Sequence, residues 1–237
     1  MIIKKIKNLM VIIVLMICVC TNISSAKKLP LTGKIITIDP GHGGRDPGTI
    51  YNDIKEKDIN LSISLKLEKE LLNQGAIVYM IRRSDIDLSS IYDSKKKRGD
   101  LYRRLLSIKE NKSDLYLSIH INWYKNSHYK GAEVLYNSIN SNNKLLAESI
   151  MAKFKNELNS NRNISKTDLY MYKNTTTPGV LIECGYLSNY NERNLLISDN
   201  YQEKISKSIT SGIINYYENT KETWLFKLLL CIMKMVK

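Results

Sequence analysis

Apolar positions along this chain fall into short β-branched runs that alternate with amphipathic stretches. Ile35-Ile36-Thr37-Ile38 feeds into Asp39-Pro40-Gly41-His42-Gly43-Gly44 and reads as a buried strand with a tight exit. The glycines beside His42 permit a sharp bend and leave its imidazole uncrowded. A polar loop, Arg45 to Lys55, precedes a helix expected over about Asp58 to Asn73. Its apolar positions Ile59, Ile63, Leu67 and Leu71 are four apart, Leu65 and Leu72 widen the stripe, and Gly75 stands where a C′ glycine belongs. Ala76 to Ile81 predicts a second buried strand, giving a βαβ unit and a parallel pair.

A charged, turn-rich segment from Arg82 to Gly99 leads to a helix over about Asp100 to Glu110. A third strand, Leu115 to Ile119, ends at His120. A strand near Ala132 to Tyr136 and a helix over about Asn142 to Leu158 follow. Gly179 to Ile182 forms a strand ending at Glu183, and a last helix covers about Tyr201 to Tyr217. The alternation predicts one α/β domain with a twisted, mostly parallel sheet and helices on both faces.

Composition changes the picture at the ends. Residues 1–26 combine lysines at 4, 5 and 7, an apolar run from Leu9 to Cys20, and Ser24-Ser25-Ala26, the layout of a secretory signal cleaved after Ala26. An uncleaved N-terminal anchor has the same layout. Either predicts an exported protein. The formal charge is +13, about +10 without the leader lysines. The basic residues are spread out apart from Lys95-Lys96-Lys97-Arg98, and no nucleic-acid-binding motif accompanies them. The charge therefore suits a membrane surface or a carboxylate-bearing wall polymer better than nucleic acid, although AT-rich coding also yields many lysines. Beyond the leader only Cys184 and Cys231 remain, too few for a disulfide framework or a zinc knuckle. A metal site must come from histidine and carboxylate.

Three predicted strands end on residues of catalytic type, His42, His120 and Glu183, and open α/β sheets build sites at the carboxyl edge of their strands. Singly, each has a plainer reading: a turn histidine bonded to backbone, a capping side chain, a surface charge. Together, with the glycine-flanked turn, they point to one site. Glu56, in Lys55-Glu56-Lys57 at the mouth of the first helix, can return to the same edge. Spacing alone favours a glutamate interacting with the helix dipole. His128, in a polar loop, has nothing to recommend it as a ligand.

Asp39-Pro40-Gly41-His42-Gly43-Gly44, Lys55-Glu56-Lys57-Asp58, Ser118-Ile119-His120-Ile121-Asn122 and Glu183-Cys184-Gly185-Tyr186-Leu187-Ser188-Asn189 resemble, in order, the motifs of the zinc-dependent N-acetylmuramoyl-L-alanine amidases. The resemblance spans about residues 33–217. It implies His42, Glu56 and His120 as ligands of Zn2+, with Glu183 as the catalytic carboxylate, and so raises Glu56 above its dipole reading. Two imidazoles and a carboxylate would leave a tetrahedral zinc with an open position for water. Arg104 matches an arginine usual in the family, with a substrate or structural role. Asn122 is expected to orient substrate or tie down its loop. The chain departs from the family at Lys109, commonly Asn, and at Cys184, which should face the core, opposite to Glu183.

The compact length and the Leu101 to Lys109 segment look like the spore-cortex amidases of endospore formers. Those enzymes strip stem peptides on the way to muramic-δ-lactam, the feature read by cortex-lytic enzymes in germination. The expected substrate is peptidoglycan and the expected place extracytoplasmic, at the membrane or in the space around the forespore. Residues 218–237 form a basic, apolar tail suited to a membrane surface, a partner groove or its own domain, and an activating partner protein is compatible with so bare a domain. Two rivals stand: a wall-binding protein of this fold without turnover, and a zinc peptidase cutting within the stem peptide.

Overall fold

The computed structural model describes residues 29–235, without side chains for 171–172 and 221–235. The leader expected at 1–26 lies outside the described residues. Strand β1 (Ile35–Pro40) is followed by the short antiparallel pair β2 (Ile50–Tyr51) and β3 (Ile54–Lys55), then helix α1 (Glu56–Asn73) and strand β4 (Ile77–Met80). Helix α2 (Lys96–Glu110), strands β5 (Leu115–Asn122) and β6 (Glu133–Tyr136), and helix α3 (Ser141–Glu157) come next. Strand β7 (Ser165–Lys166), helix α4 (Tyr170–Lys173), strand β8 (Gly179–Tyr186) and helices α5 (Tyr190–Leu196) and α6 (Asp199–Met235) complete the described chain.

The main sheet runs β4-β1-β5-β8-β6-β7. Its first four strands are parallel, β6 is antiparallel to β8, and β7 is parallel to β6. The fold is thus α/β with a mostly parallel sheet, as the alternation predicts.

Alternation along each strand sorts the sheet into two unlike faces. Ile36 and Ile38 of β1, Leu117, Ile119 and Ile121 of β5, and Val180, Ile182 and Cys184 of β8 belong to one large core. Helix α1 contributes Ile59, Ile63, Leu67 and Leu71 to that core, α3 contributes Leu146, Ile150 and Phe154, and α6 contributes Ile205, Ile209 and Ile213. Each such aliphatic side chain, taken wholly out of water, stabilises the fold by about 1.5–3 kcal/mol before entropy is counted. The other face carries Thr37, Asp39, Ser118, His120 and Glu183, with a small cluster of Ile108, Tyr116 and Leu181 beneath α2.

Several boundaries differ from the sequence expectation for physical reasons. Leu65 and Leu72 are exposed, because at 100° per residue they stand well off the stripe set by Ile63 and Leu71. The expected buried strand at Ala76–Ile81 is an edge strand, paired only with β1, and Ile77 and Tyr79 are open to solvent. Strands β5 and β8 run on past His120 and Glu183, which are direct cross-strand partners inside the sheet rather than its last residues. Helix α6 passes without a break through residues 217–218, where the domain was expected to give way to the tail. No described helix is long and apolar enough to cross a membrane.

Candidate metal centre

The turn after β1 brings His42 to the sheet edge in a left-handed conformation, with φ of 61°. Such a conformation is costly for a residue with a Cβ and persists only where its surroundings over-determine it. Here the carbonyls of the turn are claimed by buried side chains. Arg82 donates to Pro40 O and Gly41 O at 2.9 Å each, and Arg104 donates to Pro40 O at 2.8 Å and His42 O at 2.6 Å. Arg104 also pairs with Asp39 at 2.6 Å and Asp100 at 2.7 Å. Burial works against its charge, but Asp39 and Asp100 outweigh that and hold it protonated. Burial, and then repulsion from Arg104, pull Arg82 down to about 10.

Glu56 opens α1, two residues before the expected start. Lys55 has no side-chain cap to offer the helix, and loop carbonyls serve instead: Glu56 N donates to Thr49 O at 2.9 Å and Lys57 N to Pro47 O at 3.1 Å. This aims the Glu56 side chain at the sheet edge. Its Oε2 accepts from Thr49 N at 2.9 Å, and its Oε1 accepts from Ile121 N at 3.2 Å and Asn60 Nδ2 at 3.3 Å. Oε1 also lies 3.2 Å from His42 Nε2 and 3.1 Å from His120 Nδ1. Burial opposes ionisation of Glu56, but His120 and His42 outweigh it and hold the carboxyl well below the usual range.

One ligand atom from each of His42, Glu56 and His120 lies within 4.8 Å of the others. The two rings meet edge to face, with centroids 5.0 Å apart. Two nitrogens and an ionised carboxylate suit a zinc-type ion. His42 Nδ1 lies 3.0 Å from Asp46 Oδ2, an ion-pair distance without the alignment of a hydrogen bond, where an orienting carboxylate is usual behind a metal-binding histidine. Burial lowers the His42 pKa, and Glu56 and then Asp46 more than reverse that. Two glycines leave room for the cluster. A Cβ on Gly41 would stand 2.3 Å from the His120 ring, and one on Gly48 would meet both Glu56 and His42. Gly41 therefore makes space for the other histidine rather than for its neighbour.

Glu183 projects from β8 beside this trio and shares an open cleft of about 470 Å³ with it. Its Oε2 is out of solvent and has no hydrogen-bond partner among the described residues. Burial, and then the carboxylates of Glu56 and Glu133, push it well above the usual carboxylate range. A divalent cation in the trio would oppose that shift. Cys184 is buried in the core on the opposite face, as its place in the strand requires.

The sequence pattern of the N-acetylmuramoyl-L-alanine amidases matches residues 36–215. The chain belongs to that family. It is an amidase acting on peptidoglycan. Among relatives of this amidase is the germination-specific N-acetylmuramoyl-L-alanine amidase of Bacillus subtilis (strain 168). The two are 38% identical over 194 residues, covering 80% of this chain and 82% of the relative. Among solved structures, the CwlD amidase from Clostridioides difficile, in complex with the GerS lipoprotein, is 36% identical with a TM-score of 0.75, covering 78% of this chain and 98% of that one. The catalytic domain of CwlV from Bacillus (Paenibacillus) polymyxa is 29% identical with a TM-score of 0.69, covering 78% and 98%.

The other expected site residues lie close by. All the bonds given above for Arg104 go to protein acceptors. Asn122 donates from Nδ2 to Glu133 Oε1 at 2.9 Å, and its Oδ1 accepts from Trp123 N at 2.8 Å. His128 sits in an exposed loop and does not belong to the trio. Sequence reasoning passed over the supporting residues Arg82, Asn60, Asp46 and Glu133. Glu133 is the cross-strand partner of Glu183, and it accepts from Tyr186 OH at 2.6 Å and Arg162 Nη2 at 3.1 Å.

Proposed function

We propose that His42, Glu56 and His120 hold one zinc ion, and that Glu183 moves the proton in hydrolysis of the amide between N-acetylmuramic acid and L-alanine. The observation that carries this reading is the convergence of two ring nitrogens and an ionised carboxylate beside a carboxylate oxygen with no partner. Zinc bound there supplies a Lewis acid. Glu183 takes a proton from the attacking water and delivers it to the departing amine. Glu56 is held by Thr49 N, Ile121 N and Asn60, and the turn that carries His42 is held by Arg82 and Arg104. Arg104 and Asn122 act by positioning: Arg104 clamps the His42 turn, and Asn122 joins β5 to Glu133.

Residues 33–217 form the catalytic domain in this reading, with 1–26 as a leader or anchor that takes the chain out of the cytoplasm to its substrate. Residues 218–237 serve as a basic tail for a membrane surface or a partner. The similarity to a germination-specific amidase supports a place in the spore cortex, where loss of stem peptides precedes muramic-δ-lactam formation. The similarity to an amidase solved with a lipoprotein supports an activating partner protein.

Purified protein on intact peptidoglycan, with and without a chelator, tests the chemistry. The expected products are free stem peptides beginning with L-alanine, lost on chelation and restored by zinc. Fragments cut within the peptide would favour the peptidase, and binding without products would favour the non-catalytic protein. Spores lacking the chain should have a cortex without muramic-δ-lactam; a normal cortex would contradict the cortex assignment alone.

A further inference from the structure

Two side chains of unlike chemistry line the cleft over the trio, Trp123 and Lys97. Trp123 follows Asn122 out of β5, half exposed, with its backbone fixed by the Asn122 side chain. Next in the chain, Tyr124, whose N donates to Ser188 Oγ at 3.2 Å, sets its ring at a tilt to that of Tyr129, with centroids 4.5 Å apart, and both rings are also exposed. An exposed aromatic ring lining an active-site cleft, as Trp123 does, is costly to leave in water and marks a surface that something covers. Lys97 of α2 is 73% exposed and 3.5 Å from Asp46. Two further clefts, of about 210 and 290 Å³, also have Lys97 in their lining, and Trp123 lines neither.

The basic run at 95–98 thereby acquires a division of labour. Lys96 is committed to the carbonyls of Ser90 and Ile91, at 2.7 Å each. Lys97 is the cation that lines the cleft, and its long, exposed pair with Asp46 is weak enough to exchange for another carboxylate. A pyranose ring presents a face of C–H groups that packs on an aromatic plane, whereas a stem peptide carries free carboxylates. The scissile amide joins these two chemistries, so the halves of the substrate must leave the trio in different directions.

Resting on the amidase reading, we propose that the substrate crosses the centre in one sense. The sugar packs on Trp123, and the peptide runs past Lys97, which pairs with one of its carboxylates.

The test measures kcat and KM of the zinc-loaded full chain on four substrates: muropeptide glycan and a lactyl-peptide without sugar, each with stem carboxylates free or amidated. Trp123→Ala should raise KM about three- to tenfold on the sugar-bearing pair only, with kcat retained and Trp123→Phe restoring most of the loss. Lys97→Ala should raise KM by about three- to fivefold on the free-carboxylate pair only, with Lys97→Arg restoring it. Losses that are uniform across the four substrates, exchanged between the variants, confined to one variant or absent overturn the proposal. If the unaltered protein releases no stem peptide, the failure lies with the amidase reading instead.

Discussion

Glu183 and Cys184 are neighbours in β8 and face opposite sides of the same sheet. Behind Cys184 lies the apolar core shared by α1, α3 and α6, where complementary volume holds the side chains in place. Around Glu183 the sheet face is polar, and buried arginines bonded to backbone carbonyls hold its edge in shape. The two faces therefore divide the labour of the fold. The core face stabilises the strands, and the polar face uses some of that stability to keep a left-handed histidine and an unpartnered carboxylate in place.

Substitutions on each face can break this contrast. The largest effect is expected from Glu183→Gln, with kcat reduced about 10²- to 10⁴-fold and no loss of thermal stability, read by stem-peptide release and a melting curve. A fall in stability comparable to that of a core variant would mean that the polar face also carries the fold at this position. Arg104→Ala leaves Asp39 buried without its cationic partner and should cost about 3–5 kcal/mol in a denaturant titration. It should weaken zinc binding as well, because the His42 turn loses its clamp. Phe154→Ala, wholly buried on the core face, should cost a similar amount, about 3–5 kcal/mol. It should leave zinc affinity and the kcat of the folded fraction unchanged. Equal zinc affinities for the Arg104 and Phe154 variants would erase the distinction between the faces. Leu72→Gln, on an exposed helix position, should stay within about 0.5 kcal/mol of the parent.

Much of the sheet was legible because its strands are apolar runs interrupted or followed by polar chemistry, and His42 and His120 stand out on that basis. Glu56 was harder, since the loop carbonyls of Pro47 and Thr49 that cap α1 leave no trace in residue type. Its assignment rested on likeness to a family. Glu133 escaped because the carboxyl-edge rule picks out the last residues of parallel strands. Strand β6 is antiparallel to β8, so it brings its first residue to that same edge, and strand direction is not written in a run of apolar residues. Arg82 does follow β4 at the carboxyl edge, but an arginine there suggested neither ligand nor base, only charge.

The most direct test of the account is a zinc titration of the metal-free protein beside its Glu56→Gln and Glu183→Gln variants. The account predicts one zinc per chain for the parent and for Glu183→Gln, with affinity lowered by about tenfold or more in Glu56→Gln. Undiminished zinc affinity in Glu56→Gln, or loss of zinc in Glu183→Gln, would contradict it.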